Sequence, residues 1–474
     1  MKLPTRLINN DLSDDTNVPQ LRRLSAFGFF KKYPIFLLAF GPPIFRPLKG
    51  VDITRGQVDI WGVFQVGLIV LVAIPASIRM GVAGSITIPV QIRPILKLAF
   101  YLGILFMLST VYSTNRLTTV AYSICYFLTL ICMVELIVQV YRNPPNWMQS
   151  LYQLRLLAFC LFILVILTLF YNSGLVLNFE EARVRLLGGG IAPIPIICPI
   201  ITIISAHSFL HNLESRVRST FFIIVGLAGT MSARSRGSEV ALLVALTLVV
   251  MFWAMSSRRM MYVFISGLIL IIFIALGLVE VIGADRIWNI FNRGENVSGI
   301  ASASGRTYIW SFVLRYCIYH PWGMGYVAGF RTIFRNYYSL GMPVVVSSIG
   351  NAHNSYVQVL ADAGWLALTV YLMMIARIVF IGWRAARGSS LKSLEYGCAP
   401  SHVMACALAL LIFCLVCGIT GADFVVPMRA SYYFQNIIIA IILGAHARAL
   451  IVVRTMSRST NGSYSGQQRF IGLR

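Results

Sequence analysis

The sequence predicts an all-α integral membrane protein, and three observations carry that prediction. Of 474 residues, 58% are hydrophobic and only 12% charged, with a mean hydropathy of +0.78, whereas a soluble domain is usually about 25% charged. The apolar runs are about 20 residues long and unbroken rather than alternating, which selects helices over a closed barrel. A soluble core stops growing at about 250–300 residues, so this much apolar sequence needs lipid as its solvent.

About twelve segments reach spanning length. They centre on 34–46, 60–78, 95–111, 117–140, 153–171, 191–206, 219–232, 238–256, 260–282, 356–381, 402–423 and 431–452. The sixth carries Pro193, Pro195 and Pro199, which predicts a broken helix. Met1 to Gln20 is polar, so no cleavable signal is expected and the first spanning segment would direct insertion. The chain divides into an N-tail over 1–33, helices one to nine over 34–282, a large outer loop over 283–352 between helices nine and ten, helices ten to twelve over 353–452, and a C-tail over 453–474.

Lysine and arginine set the orientation. With both termini inside, 24 of the 39 basic residues fall on the inner side, against 9 outside once the six in the long loop are set aside. The outer loop is therefore expected on the periplasmic side. It contains an aromatic stretch from Thr307 to Trp322, with Tyr308, Trp310, Tyr316, Tyr319 and Trp322, suited to an amphipathic helix in the membrane interface. The net charge of +23 is spread over many loops without a dense basic cluster, which argues against a nucleic-acid partner. Part of it orients the chain and holds anionic membrane lipid.

Most of the nine cysteines lie in apolar segments, and Cys414 and Cys417 form a CxxC inside a helix, read as packing. No DxD pair, P-loop or metal cluster is legible, so no metal and no cofactor is expected. Gly323-Met-Gly325 follows an aromatic helix rather than a strand and is no dinucleotide fingerprint.

Four outward ends stand out: Arg183-Val-Arg185-Leu-Leu-Gly188-Gly189-Gly190 before segment six, Arg234-Ser-Arg236-Gly237 before segment eight, Gly305-Arg306 before the aromatic stretch, and Ala352-His353-Asn354 before segment ten. Each sets a cation or an imidazole where a helix is expected to begin. Helix starts already attract anions, and a basic residue there is locally unfavourable. Several on one face call for an anionic partner, and the planar arginine fork suits a diphosphate. Singly, such arginines also bind headgroup phosphate or snorkel. Asn354 is expected to cap segment ten, with His353 just outside the cap, where its imidazole could take a proton from a sugar hydroxyl. Glu239 and Asp362, inside segments eight and ten, are read as partners of arginine rather than as catalytic acids.

Gly305-Arg306-Thr-Tyr-Ile-Trp310, His320-Pro321-Trp-Gly323-Met-Gly325, Ala352-His353-Asn354-Ser-Tyr356 and Ala363-Gly364-Trp365 together resemble the signature of the O-antigen ligase and polymerase superfamily, over roughly residues 300–385. Ser235-Arg236-Gly237 is similar to that family's earlier arginine motif, and Arg185 to Gly190 to a further element. The resemblance implies about twelve transmembrane helices of GT-C type with a large periplasmic loop. It implies a metal-independent, inverting glycosyltransferase in the bacterial inner membrane, using a glycan on undecaprenyl diphosphate and a saccharide or lipid A-core acceptor. Arg236 and Arg306, with Arg185, would bind the diphosphate. His353 would act at the acceptor or leaving group, and Asn354, Glu239, Trp310 and Tyr356 would support them. The small, apolar, serine-rich approach from Val344 to Gly350 leans toward an exopolysaccharide or O-antigen polymerase rather than a ligase.

Two other classes are weighed. A polysaccharide-precursor flippase would line a midplane cavity with charge and relate two halves by a repeat, and no repeat is visible. A non-enzymatic scaffold would leave the arginine and histidine residues without a purpose.

Overall fold

A computed structural model describes residues 38, 60–82, 90, 92–142, 147–171, 177–178, 183–186, 190–191, 194–233, 235–255, 257–282, 306–338, 352–387, 401–421, 424–427 and 429–470. Helices occupy eleven of the twelve predicted segments. The first, 34–46, lies outside the described residues except for Leu38, as do the tail over 1–33 and the loop over 283–305 and 339–351.

In chain order the helices are α1 (Ile60–Val82), α2 (Arg93–Leu108), α3 (Arg116–Arg142), α4 (Trp147–Tyr171), α5 (Ile194–Leu210), α6 (Arg216–Ser232), α7 (Arg236–Ala254) and α8 (Arg258–Ile282). They continue with α9 (Arg306–Tyr319), α10 (Ala328–Tyr338), α11 (Ser355–Arg387), α12 (Ser401–Thr420) and α13 (Ala430–Phe470). Among the described residues six helices are long and apolar enough to cross a membrane, within α1, α3, α7, α11, α12 and α13, and shorter apolar helices lie within α4 and α5. This is the architecture of a helical, multi-pass membrane protein. Large apolar side chains point outward on the peripheral helices, as with Leu71, Ile224, Leu243, Phe273 and Phe380. Water would penalise that surface and lipid does not.

The interior is built around α5, α12 and the first half of α13, whose apolar residues are almost all buried. Small residues allow the close approaches expected where lipid gives helices no hydrophobic drive to associate. A Cβ on Gly226 of α6 would fall 2.2 Å from Thr202 Oγ1 of α5, and one on Gly229 would fall 2.4 Å from Cys198 Sγ. The segment predicted to break at its prolines is instead the single helix α5. Pro195 lies in the first turn, where its missing N–H costs nothing, and Pro199 is held by neighbours on every side.

Two buried charges are met by partners. Glu135 of α3 pairs with Arg79 of α1 and accepts from Gln139 Nε2 at 2.8 Å. Arg155 of α4, 2% exposed, forms a two-pronged pair with Glu214 in the turn after α5 and stacks on Phe222. Burial pushes the Glu214 carboxyl up, but Arg155, Ser219 and Arg218 together hold it below the usual range, so the pair stays charged at neutral pH.

The all-α class holds, with one short extended stretch between α4 and α5. Leu177–Asn178, Arg183–Leu186 and Gly190–Ile191 form three short antiparallel strands, β1 to β3, with Leu177 opposite Val184 and Arg185 opposite Ile191. Arg185 therefore sits on a strand and not at a helix start. Arg-Val-Arg-Leu alternates with the strand period of two, and glycines follow at once.

Candidate functional site

α11 is kinked at Ala363 and Gly364, where Gly364 adopts φ +77° and ψ −170°. The kink opens the backbone at Ala361 and Asp362, whose carbonyls lose their helical donors. The loop after α9 supplies replacements: Met324 N–H donates to Ala361 O at 2.7 Å and Gly325 N–H to Asp362 O at 3.0 Å. In return Trp365 N–H donates to Pro321 O at 3.1 Å, and its indole Nε1 to Cys317 O at 3.2 Å. The His320-to-Gly325 and Ala363-to-Trp365 stretches are thus two halves of one joint. Its glycines are required: Gly323 and Gly325 have φ of +90° and +109°, and a Cβ on Gly364 would lie 1.9 Å from Pro321 O. Tyr326 then anchors the loop, fully buried, stacked on Phe106 of α2 at 3.8 Å and donating to Val425 O at 2.9 Å.

α9 rests on this joint. Ile309, Phe312, Val313 and Cys317 are buried, while Tyr308, Ile318 and Tyr319 face outward. With Phe312 inside and Ile318 and Leu314 outside, both faces are largely apolar and the helix is not amphipathic as expected, while Tyr308 and Tyr319 on its outward side suit the membrane interface. Arg306 is its first residue. One turn on, Trp310 Nε1 donates to Ala352 O at 3.0 Å.

Ala352 is held from both sides, because its N–H donates to Gln358 Oε1 at 2.8 Å. Gln358 Nε2 in turn donates to Asp362 Oδ1 at 2.7 Å, both residues being buried. This chain runs from the α9 start, through the residue beside His353, to the kink. Asn354 caps α11 as expected: its Oδ1 accepts from Tyr356 N at 2.9 Å and Val357 N at 3.0 Å. His353 just before it has φ +49°, a left-handed conformation that histidine tolerates better than most residues. Tyr356 OH fastens the first turn to Leu415 O of α12 at 2.9 Å, and Ser355 Oγ donates to Gly421 O at 2.7 Å.

The third helix start arrives at the same corner. α7 begins at Arg236, with Glu239 in its first turn, and Gly237 packs so closely on the last residue of α12 that a Cβ would fall 1.8 Å from Thr420 Oγ1. Gly237 and Ser355 thus both touch the 420–421 corner, while Trp310 ties α9 to the residue beside His353. Arg236 and Arg306 are the first residues of α7 and α9, and His353 lies just before the Asn354 cap of α11, so three helix starts far apart in sequence lie at one end of the bundle. All three residues are half-buried. Converging helix starts and two guanidinium groups can hold an anion at that end, and an imidazole beside it can move a proton. Arg185 is not joined to this group by any contact described, since its side chain lies outside the described set.

Gly237 offers a direct check of the corner. Gly237→Ala should lower activity by pushing α7 off Thr420, and Thr420→Gly, which removes the atoms in conflict, should restore it. A double-mutant cycle that came out additive would mean the two residues do not touch.

Sequence reading missed one cluster entirely. His207 and His211 at the end of α5 and His402 at the start of α12 bring their ring nitrogens within 4.8 Å of one another. The usable signal was the i, i+4 spacing of His207 and His211, which sets two imidazoles on one helix face. The reading that no metal cluster is legible did not include this group, which has the residue types to hold an ion.

Residues 221–372 match the family model described as O-Antigen ligase, a span that holds Arg236, Arg306 and His353. Comparison with curated proteins gives no match.

Proposed function

We propose that this member of the O-antigen ligase/polymerase superfamily is a metal-independent, inverting glycosyltransferase of bacterial surface-polysaccharide assembly, acting as a polymerase. The observation that carries the reading is the convergence of the Arg236, Arg306 and His353 helix starts on one end of the bundle. The donor is a glycan on undecaprenyl diphosphate, whose lipid lies against the bundle. Arg236 and Arg306 neutralise the diphosphate at the interface. His353 takes the proton from an acceptor hydroxyl as its oxygen attacks the anomeric carbon. The new glycosidic bond forms as the bond to the diphosphate oxygen breaks, and undecaprenyl diphosphate leaves with the charge the arginines hold. A single displacement inverts the anomeric centre. Positioning and charge neutralisation supply most of the acceleration. The twelve-span count, the GT-C likeness and a periplasmic site in the inner membrane belong to the same proposal, supported by the lysine and arginine asymmetry.

The test is a gel of surface and lipid-linked glycans from a deletion strain carrying the wild-type or a variant gene. Accumulation of single-repeat lipid-linked units with loss of long chains in Arg306→Ala supports a polymerase. Long lipid-linked chains that fail to reach lipid A-core would make the protein a ligase. Normal glycan at normal protein level would remove the enzyme reading.

A further inference from the structure

The His207, His211 and His402 cluster lies at the far end of the bundle from the site above. His402 is the second residue of α12 and Thr420 its last, so the two ends of that helix are about 27 Å apart at 1.5 Å per residue. The cluster therefore plays no part at the diphosphate end and needs its own account.

His402 Nδ1 lies 3.3 Å from His207 Nε2. Nitrogens bound tetrahedrally to zinc at about 2.0–2.1 Å are about 3.3 Å apart along each edge, so this pair already has the spacing of a ligand edge. All three offered nitrogens lie within 4.8 Å, and closing the remaining spread of about 1.5 Å takes a side-chain rotation. The rings are in contact, with centroids 4.8 Å apart for His207–His211 and for His211–His402. His207 is 1% exposed, and its second nitrogen, Nδ1, has no hydrogen-bond partner. Among the described residues no carboxylate joins the group. Three imidazoles without oxygen ligands suit zinc and disfavour magnesium or calcium.

We infer that His207, His211 and His402 form a three-histidine zinc site with a fourth, solvent-filled position, which clamps the end of α5 to the start of α12. Its role is to fix the two central helices at the end opposite the transferase site. The one other charge brought close by α4, Arg155, is matched by Glu214, so the packing around α5 does not oppose a cation with a net positive group from that helix.

The experiment uses full-length protein purified in detergent without a histidine tag. Metal content is measured directly, then again after chelation and titration with Zn²⁺, Co²⁺ or Mg²⁺. We expect about one zinc per chain, a rise in melting temperature on adding Zn²⁺ to chelated protein, no response to Mg²⁺, and visible absorption typical of tetrahedral cobalt with Co²⁺. His211→Ala, which alters a half-exposed residue beyond the helix end, should keep the protein folded on gel filtration and lose the zinc and the thermal response. Zinc retained equally by His211→Ala would overturn the assignment to these residues. Absence of zinc, with no thermal or cobalt response in the wild type, would show that the imidazoles simply hydrogen-bond one another.

Discussion

Gly364→Ala will deplete the membrane of folded protein. Gly364 holds φ +77° and ψ −170°, a region open essentially to glycine alone, and forcing alanine into it costs about 1–3 kcal/mol. The added Cβ would also lie 1.9 Å from Pro321 O and 2.7 Å from two further backbone carbons. Backbone cannot rotate aside as a side chain can, so the 321–325 loop must lift. Lifting it breaks the Met324, Gly325 and Trp365 hydrogen bonds, each worth about 1 kcal/mol net. Together these reach roughly 4–6 kcal/mol, a large part of the stability of a typical protein. Gly67→Ala in α1 is the control: it is helical, with nothing within 4 Å of the new atom, and should be nearly silent. Gel filtration and melting of detergent-solubilised protein decide it. If the two variants melt together, the joint between the loop and the kink is not as described.

The kink also shows where sequence reading stops. Apolar runs gave the helices, because lipid tolerates little else, and Asn354 was legible as a cap because capping is local. The starts of α7 and α9 at Arg236 and Arg306 followed from the same local rules. Ala363-Gly364-Trp365 reads as uninterrupted helix, since the carbonyls it frees are satisfied only by residues some forty positions earlier. His402 meets His207 across 195 residues, a pairing no local pattern encodes. The strand at Arg183–Leu186 went unread for a different reason: its period of two was present but was outweighed by the apolar run that follows. Glu135, unexplained in sequence, needed Arg79 from another helix. What proved legible was each motif's local form; what brings the motifs together is long-range packing through Thr420, Gly421 and Ala352.

That packing makes the second large effect specific to the site. Arg306→Ala should slow glycan transfer by roughly 10- to 150-fold, the loss of one charge-assisted interaction worth about 1.5–3 kcal/mol. Arg306→Lys should recover only part, because an ammonium keeps the charge without the planar fork. His353 requires more care, since its φ of +49° would strain an alanine and blur chemistry with folding. Asparagine is among the residues most at ease in that conformation, so His353→Asn removes the base while leaving the backbone content. If His353 is the base, His353→Asn should fold and melt like wild type yet transfer glycan about 10²- to 10⁴-fold more slowly. Rates would be measured on purified protein with lipid-linked donor and acceptor, at matched amounts of folded enzyme. A His353→Asn enzyme within a few-fold of wild type would leave the arginines as the centre of the site and move proton removal to another group. Arg306→Ala at full rate would instead remove the diphosphate from this end of the bundle.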